Sequence, residues 1–310
     1  MDAPRTVFMG TQDFAVPSLD ALVAADLAPV AVVTTPDRRS GRGRKTSPSP
    51  VKEAAERHGI PLLQPPDLKD PAFANDLAAL RPDVLAVVAF RILPPAVYET
   101  ARLAAFNLHG SLLPAYRGAA PIQRALMDGV AETGVTTFVL QNQVDTGNVI
   151  LRRSLPVGPD DTFGEVHDRL ATLGAEAVVE TVRRIAAGDL RPEPQDDAQA
   201  TAAPKIFRED AEIGWDRPAP AVHDHVRALS PVPGAWTEWA AEGETLKVFR
   251  TAVASGPSAA PGTVRVEDGR MWVACAEGAV EVLEAQRPGK RRMDTADLLN
   301  GADLEGARLG

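Results

Sequence analysis

Short apolar segments alternate with segments of helical periodicity through the first half of this chain, and that alternation constrains the fold most. The apolar runs are rich in Val, Phe and Leu and predict buried strands at 6–9, 30–34, 84–90, 104–108, 134–140 and 149–156. Helical spacing marks the stretches 16–25, 51–58, 71–80 and 162–187. Strands that alternate with helices predict an α/β fold, in which helices cover both faces of a mostly parallel sheet.

The composition changes near Leu190. The stretch 191–204 is polar, contains prolines and lacks bulky apolar residues, which indicates an ordered linker. Beyond it, a helix is predicted at 219–229, and short β-like runs occupy 236–239, 246–251, 262–266, 271–275 and 280–285. Gly-containing turns separate these runs, as in small OB-like barrels. We therefore predict a first domain over 1–190, a linker over 191–207 and a smaller second domain over 208–310.

Charge and cysteine content exclude several classes of protein. The 310 residues include 33 Lys plus Arg against 42 Asp plus Glu, so the net charge of −9 disfavours non-specific nucleic-acid binding. One cysteine excludes an internal disulfide framework and a cysteine-based zinc site. His223 and His225 are two apart on a predicted helix and do not share a face, so we predict no metal there. The longest central apolar run is too short for a bilayer span, and no secretory segment is seen, so we expect a cytoplasmic protein without membrane contact.

The strand that ends at Asn107-Leu108-His109 is the strongest candidate for a functional site. Because side chains alternate along a strand, Asn107 and His109 project from the same face. The carboxyl ends of strands in an open α/β sheet are where ligands bind, and Gly110 lets the backbone turn close to a bound group. An amide and an imidazole can converge on one atom there. This spacing predicts a site and names no reaction, and local backbone hydrogen bonds at a strand end remain the alternative.

The same segment resembles the tetrahydrofolate-dependent formyltransferases, and within them the branch that acts on methionyl-tRNA. The resemblance covers essentially the whole chain. Its segments are Gly-Thr-Gln-Asp-Phe at 10–14, the basic stretch 35–45 with 47–52 after it, Asn-Leu-His-Gly-Ser-Leu-Leu-Pro at 107–114, Arg-Gly-Ala-Ala-Pro-Ile-Gln at 117–123, Glu-Thr-Gly-Val-Thr at 132–136 and Val-Asp-Thr-Gly at 144–147. It implies a Rossmann-like catalytic domain followed by an OB-like tRNA-binding domain.

The resemblance also implies the reaction and its catalytic residues. The formyl group of 10-formyltetrahydrofolate would pass to the free amino group of charged initiator methionyl-tRNA, which serves translation initiation. Asn107 would donate a hydrogen bond to the developing oxyanion, and His109 would stabilise or relay charge beside it. Asp145 would orient His109 or accept a proton through water. From the residues alone, Asp145 in Asp-Thr-Gly would be an ordinary turn residue.

Two groups of binding residues follow from the resemblance. The folate would lie against Ser111, Leu112, Leu113 and Pro114, with Phe90 and Ile92 in the pterin pocket. The chain departs from the family at that pocket, because Arg91 follows Phe90 directly where the family often has an aromatic–Gly step. The tRNA acceptor end would meet the basic loop of Arg38, Arg39, Arg42, Arg44 and Lys45, with Arg42 the most consequential because it lies between Gly41 and Gly43. No metal is implied, and analogy favours a monomer.

Four alternatives stay open. A sugar-nucleotide amine N-formyltransferase and a formyltetrahydrofolate hydrolase share the fold, although the sugar enzymes are expected to lack the 41–43 loop and the 120–123 run. A nicotinamide-dependent oxidoreductase is disfavoured because the stretch 10–13 lacks the G-x-G-x-x-G phosphate turn. A pure RNA-binding module would leave Asn107, His109 and Asp145 without a purpose.

Overall fold

The computed structural model describes residues 3–40, 45–239, 243–255 and 259–310, and the structural statements below concern these residues. They form two compact units. The first contains residues 1–121, 133–155 and 167–203, and the second contains 122–132, 156–166 and 204–310. The division of the chain at residues 190 and 207 stays a prediction. Two stretches that precede residue 190 group with the second unit.

A seven-stranded sheet forms the centre of the first unit. Its strands are β1 Thr6–Gly10, β2 Ala31–Val33, β5 Leu62–Leu63, β6 Val84–Val88, β7 Ala104–His109, β8 Glu132–Val139 and β9 Val149–Pro156. The order is β5-β2-β1-β6-β7-β8-β9. The first five strands in this order pair in parallel and β8 pairs antiparallel to β7, so the mostly parallel sheet is confirmed. A separate two-stranded sheet joins β3 Arg38–Ser40 to β4 Lys45–Ser47.

Helices lie on both faces of the large sheet. The helices up to the linker are α1 Val16–Ala24, α2 Pro50–Arg57, α3 Pro71–Ala79, α4 Pro95–Tyr98, α5 Pro121–Met127 and α6 Phe163–Ala186. Side chains of α3 and α4 share a core with Val87 and Ala105 on one face. On the other face, Thr181 of α6 hydrogen-bonds Thr137 of β8 at 2.8 Å. The helix α2 begins at Pro50, one residue before the predicted stretch 51–58, and the Ser49 side chain caps it by accepting from the Lys52 N–H.

The strand order of the large sheet reverses between β1 and β6. From β1 the chain moves outward to β2 and β5, then returns to the other side of β1 as β6 and β7. In open α/β sheets, ligands bind outside the carboxyl ends of the strands at the point where the order reverses. The end of β7, which carries Asn107 and His109, is adjacent to the end of β6.

The second unit is built around an antiparallel sheet. Its strands are β10 Ala235–Trp239, β11 Glu244–Ala254, β12 Val264–Glu267, β13 Arg270–Ala274, β14 Ala279–Gln286 and β15 Met293–Asp294, and its helices include α7 Ala219–Ala228 and α8 Thr295–Leu299. The order β10-β11-β14-β13-β12 leaves β10 and β12 as edges. Leu309 bridges to Trp239 at one edge, and Arg308 bridges to Thr263 beside the other. The last residues therefore connect the two edges, as the small-barrel prediction requires.

The polar stretch after residue 190 is ordered by hydrogen bonds to the first unit. Val149 and Glu193 exchange two backbone hydrogen bonds of 2.7 and 2.8 Å. Further along, Arg117 donates to the carbonyl of Thr201, and Ala203 donates to the carbonyl of Arg117. No helix among the described residues is long and apolar enough to cross a membrane.

Candidate active site

Asn107 and His109 lie at the carboxyl end of β7, on the same face of the sheet as Ala105. Asn107 is half-buried and lies opposite Val87 of β6 and Phe138 of β8. Within the described residues its side-chain amide makes no hydrogen bond to protein groups, and it is not among the fully buried residues. A half-buried amide without a protein partner has its N–H donors available to a bound molecule.

The His109 ring is buried and has an acceptor on each side. Its Nε2 lies 2.8 Å from the carbonyl oxygen of Tyr116, so Nε2 carries a proton and donates to it. Its Nδ1 lies 3.7 Å from Oδ2 of Asp145. In the neutral ring Nδ1 is therefore unprotonated and faces the Asp145 carboxylate. A proton that binds to Nδ1 is then stabilised by this carboxylate, as the proton on Nε2 is by the Tyr116 carbonyl. The arrangement suits proton transfer or charge stabilisation.

Asp145 reaches His109 from the turn between β8 and β9. It is buried, and its backbone has φ +58°, in the left-handed region that is uncommon for a residue with a Cβ. Its Oδ2 accepts a 2.9 Å hydrogen bond from the N–H of Gly118. Gly147, two residues on, approaches β8 so closely that a Cβ there would lie 1.7 Å from the Val139 carbonyl oxygen. The turn therefore requires glycine at 147.

The loop after β7 is attached to β8 by one threonine. The Thr136 hydroxyl donates to the carbonyl of Ser111 at 2.7 Å and accepts from the N–H of Leu113 at 3.0 Å. Ser111 and Leu113 are buried, whereas Leu112 and Pro114 are half-buried. Ser111 and Leu113 support the loop from within, Leu112 and Pro114 have accessible surface, and the contact of all four with a folate stays a prediction.

Phe90 and Ile92 lie just beyond the carboxyl end of β6 and differ in exposure. Phe90 is half-buried and packs against the core of the first unit, while Ile92 is 76% exposed. Between them, Arg91 donates to the carbonyls of Pro65 and Pro66 at 2.9 and 3.2 Å. The departure from the family pattern at Arg91 is therefore accommodated by an anchor to the 65–66 segment.

The basic segment is described only in part. The backbones of Arg38–Ser40 and Lys45–Ser47 pair as antiparallel strands, so Arg38, Arg39 and Lys45 lie on the two arms of this pair. Arg42 and Arg44 lie outside the described residues. At the base of the arms, the Lys52 ammonium lies 2.6 Å from the Asp37 carboxylate. Hydrogen bonds from Lys52 and then Gln64 lower the pKa of Asp37.

His223 of α7 has structural partners, whereas Nε2 of His225 is buried with no hydrogen-bond partner among the described residues. His223 hydrogen-bonds the Thr251 hydroxyl through Nδ1 and the Pro159 carbonyl through Nε2, both at 3.0 Å. Burial, and then repulsion from Arg217, lowers the pKa of His225 to about 4. Among the described residues, no three His, Cys, Asp or Glu side chains are grouped so as to hold a metal ion.

Three contributions to the site were missed by sequence reasoning. The Tyr116 carbonyl and the Gly118 N–H bind His109 and Asp145 through backbone atoms, which leave no signal in a residue pattern. Gln195 belongs to the stretch predicted as a linker, yet its side chain hydrogen-bonds the backbone of Asp145. No periodicity relates positions so far apart, so only the tertiary structure brings them together.

Comparison with known proteins gives two family matches along the chain. The family model described as "Formyl transferase" matches residues 5–182. The model described as "Formyl transferase, C-terminal domain" matches residues 205–303. The two matches together cover most of the sequence.

Individual relatives extend these matches. A protein of Chlorobium luteolum named "Methionyl-tRNA formyltransferase" is 50% identical over 304 residues, which cover 96% of each chain. The crystal structure of an N-formyltransferase from Helicobacter canadensis, in complex with folinic acid and dTDP-3-aminofucose, superposes with TM-score 0.69 at 17% identity, over 92% of this chain and 99% of that one. HypX from Aquifex aeolicus, in complex with tetrahydrofolic acid, superposes with TM-score 0.65 at 18% identity over 96% of this chain. This chain spans about half of HypX, at 47% of its length.

Proposed function

The chain belongs to the formyl transferase family, and from this premise we propose that it transfers the formyl group of 10-formyltetrahydrofolate to the amino group of methionyl-tRNA. The choice of methionyl-tRNA as the acceptor rests on the 50% identity, along 96% of both chains, to a protein named methionyl-tRNA formyltransferase. The solved structures at 17% and 18% identity support the fold alone. The product would be N-formylmethionyl-tRNA for translation initiation.

Asn107 is assigned the stabilisation of developing charge. When the amino group attacks the formyl carbon, negative charge builds on the formyl oxygen. The half-buried Asn107 amide makes no hydrogen bond to protein groups within the described residues, so it can donate to that oxygen. A preorganised donor aimed at developing charge stabilises the transition state by about 3–4 kcal/mol.

His109 and Asp145 are assigned the proton transfers. The attacking amine must lose a proton as the new C–N bond forms, and the departing nitrogen of the folate must gain one as the old C–N bond breaks. The Nδ1 of His109, facing the carboxylate of Asp145 at 3.7 Å, can accept and return a proton in these two steps. The Tyr116 carbonyl fixes the opposite ring nitrogen as a donor and so fixes the tautomer.

The binding roles belong to the same proposal. Leu112 and Pro114 would contact the folate from the loop after β7, with Ser111 and Leu113 behind them, and Phe90 and Ile92 would border the pterin. The arms that carry Arg38, Arg39 and Lys45 would reach the tRNA acceptor end together with Arg42 and Arg44. The OB-like domain predicted over 208–310 would contribute further tRNA contacts. A cytoplasmic location and a monomeric state complete the proposal.

Formyl transfer from 10-formyltetrahydrofolate to charged initiator tRNA tests the proposal directly. The assay includes an uncharged tRNA and a dTDP-amino sugar as alternative acceptors, and it measures formate release without an acceptor. We expect transfer that depends on the methionyl group. Transfer to the sugar alone would favour a sugar N-formyltransferase, and formate release with no acceptor product would favour a hydrolase.

A further inference from the structure

Gln195 connects the linker stretch to the turn that carries Asp145. Its side-chain Nε2 donates to the backbone carbonyl of Asp145 at 2.9 Å and to that of Gly147 at 2.8 Å. We propose that Gln195 is a positioning residue for formyl transfer, which holds this turn so that the Asp145 carboxylate keeps facing His109. The inference rests on the function proposed above and assigns a role to a residue that contacts none of the reacting groups.

The turn needs an external hydrogen-bond donor because of its backbone conformation. Asp145 is held at φ +58°, where a residue with a Cβ is disfavoured, and such conformations persist only when surrounding contacts determine them. Two carbonyls that flank Thr146 receive their hydrogen bonds from the same amide group. One side chain therefore hydrogen-bonds the backbone on both sides of Thr146.

Arg117 fixes which end of the Gln195 amide faces the turn. The Arg117 guanidinium donates to Oε1 of Gln195 from Nε at 3.2 Å and from Nη2 at 2.8 Å. Since a guanidinium has no acceptor, Oε1 must face it and Nε2 must face the two carbonyls. Asp197 holds the guanidinium in turn, at 2.7 Å from Nη2.

The same segment contacts the carboxylate by a second route. Gly118, next to Arg117, donates its N–H to Oδ2 of Asp145. Gly118 itself has φ +132°, and a Cβ there would lie 2.5 Å from the Ala203 carbonyl oxygen, so this strip of backbone fits tightly against the linker stretch. The backbone and the carboxylate of Asp145 are thus held from two directions. Without the Gln195 amide, the Asp145 backbone carbonyl loses this donor and its carboxylate keeps the hydrogen bond from Gly118. Thr146 keeps its own hydrogen bonds with Gln141 and Gln143.

The proposal predicts a defect in turnover. In Gln195→Ala the turn loses both donors, and the carboxylate shifts relative to Nδ1 of His109. We expect kcat to fall by about 10- to 100-fold, because misplacement near 1 Å has an effect of that size. Both KM values should change by less than about two-fold, since Gln195 is assigned no substrate contact.

Three single substitutions, one of them a control, test this role. Gln195→Glu keeps the size and the acceptor for Arg117 but removes both N–H donors, so its kcat should fall like that of Gln195→Ala. Gln199→Ala is the matched control, because the Gln199 side chain is exposed on the same segment and donates to Asp196 at 2.9 Å, away from the turn. Thermal melts and circular dichroism accompany each assay. A wild-type kcat in Gln195→Glu, or raised KM values with kcat unchanged, would overturn the positioning role.

A double-mutant cycle with Asp145→Asn separates positioning from general weakening of the fold. If Gln195 acts through the Asp145 carboxylate, then Gln195→Ala should lower kcat by less than about three-fold in the Asp145→Asn background. Additive losses would overturn the inference. Wild-type protein in the same assay keeps the two proposals distinct, since absence of transfer in wild type rejects the formyl-transfer function itself.

Discussion

Oδ2 of Asp145 lies 3.7 Å from Nδ1 of His109, although the two residues belong to different parts of the sheet. His109 ends the strand β7, and Asp145 lies in the turn after β8, which pairs antiparallel to β7. In their register Thr136 lies opposite His109, and Val139, the last residue of β8, lies opposite Phe106. The turn must therefore fold back along β7 for the Asp145 carboxylate to reach His109. The pair that we propose for proton transfer therefore depends on the turn after β8 as well as on the end of β7.

Replacing Asn107 with alanine should slow chemistry more than binding. The Asn107 amide is expected to meet the formyl oxygen only as charge develops, so Asn107→Ala should lower kcat by about 10²–10³-fold. Steady-state formyl transfer with saturating tRNA measures this, together with folate affinity by titration calorimetry. The exposed Asn300, changed to alanine, is the control. A kcat within two-fold of wild type would remove Asn107 from the mechanism.

Removing the charge of Asp145 should impair catalysis with little loss of stability. In Asp145→Asn the new amide would keep an oxygen for the Gly118 N–H but would present no carboxylate to His109. We expect this variant to lower kcat by about 10²-fold, the lower end of what general acid–base catalysis contributes. Rapid-quench single-turnover kinetics measure the chemical step. An unchanged single-turnover rate would show that the carboxylate takes no part in it.

A methyl group at position 147 should destabilise the protein. The added Cβ of Gly147→Ala would lie 1.7 Å from the Val139 carbonyl oxygen, so the turn or β8 must move. We expect a loss of about 2–4 kcal/mol in the free energy of unfolding, measured by urea denaturation, and reduced transfer activity. Gly301→Ala is the control, because a Cβ there would lie 4.0 Å from the Leu298 carbonyl oxygen, an ordinary van der Waals contact. Equal stability of the two variants would contradict the argument.

Stability of the second unit should decrease in mild acid because of His225. Burial lowers the pKa of His225 to about 4, below the usual 6.5, so the unfolded chain binds this proton more readily. The stabilisation is complete above pH 6.5 and is lost as pH falls from 6.5 toward 4, by at most about 3 kcal/mol. Urea unfolding at pH 7 and pH 5 measures it. His225→Phe should flatten this dependence, and an equal slope in His225→Phe would reject the assignment.

Replacing Arg42 should weaken tRNA binding and leave folate binding unchanged. Its place in the basic segment predicts contact with the acceptor end, so Arg42→Ala should raise the KM for charged tRNA and reduce the slope of log affinity against log salt by about 1. Filter binding at several salt concentrations gives the slope, and folate affinity should be unchanged. Arg191→Ala, with an exposed guanidinium, is the control. An unaltered salt slope would exclude Arg42 from the interface.

Local sequence patterns predicted the regular elements of the sheet and of the second unit. Buried strands and helix starts depend on neighbouring residues, as at Ser49 and Pro50, so they can be read from short windows. Short elements such as β5 and α4 were not predicted, because two to four residues carry too little periodicity. The pair β3 and β4 was also missed, since its polar residues resemble a loop.

The sequence by itself determined the α/β order, the second β unit, and the face shared by Asn107 and His109, because strand periodicity sets side-chain direction. The resemblance of its motifs supplied the reaction. The resemblance also implied that Asp145 acts on His109, and the tertiary structure gave the distance between them. Only the tertiary structure decided that Thr136 supports the loop at 111–114 and that Gln195 and Arg117 contact the turn. These contacts join segments distant in the chain, and many of them use backbone atoms, which every residue has and which no sequence pattern can distinguish.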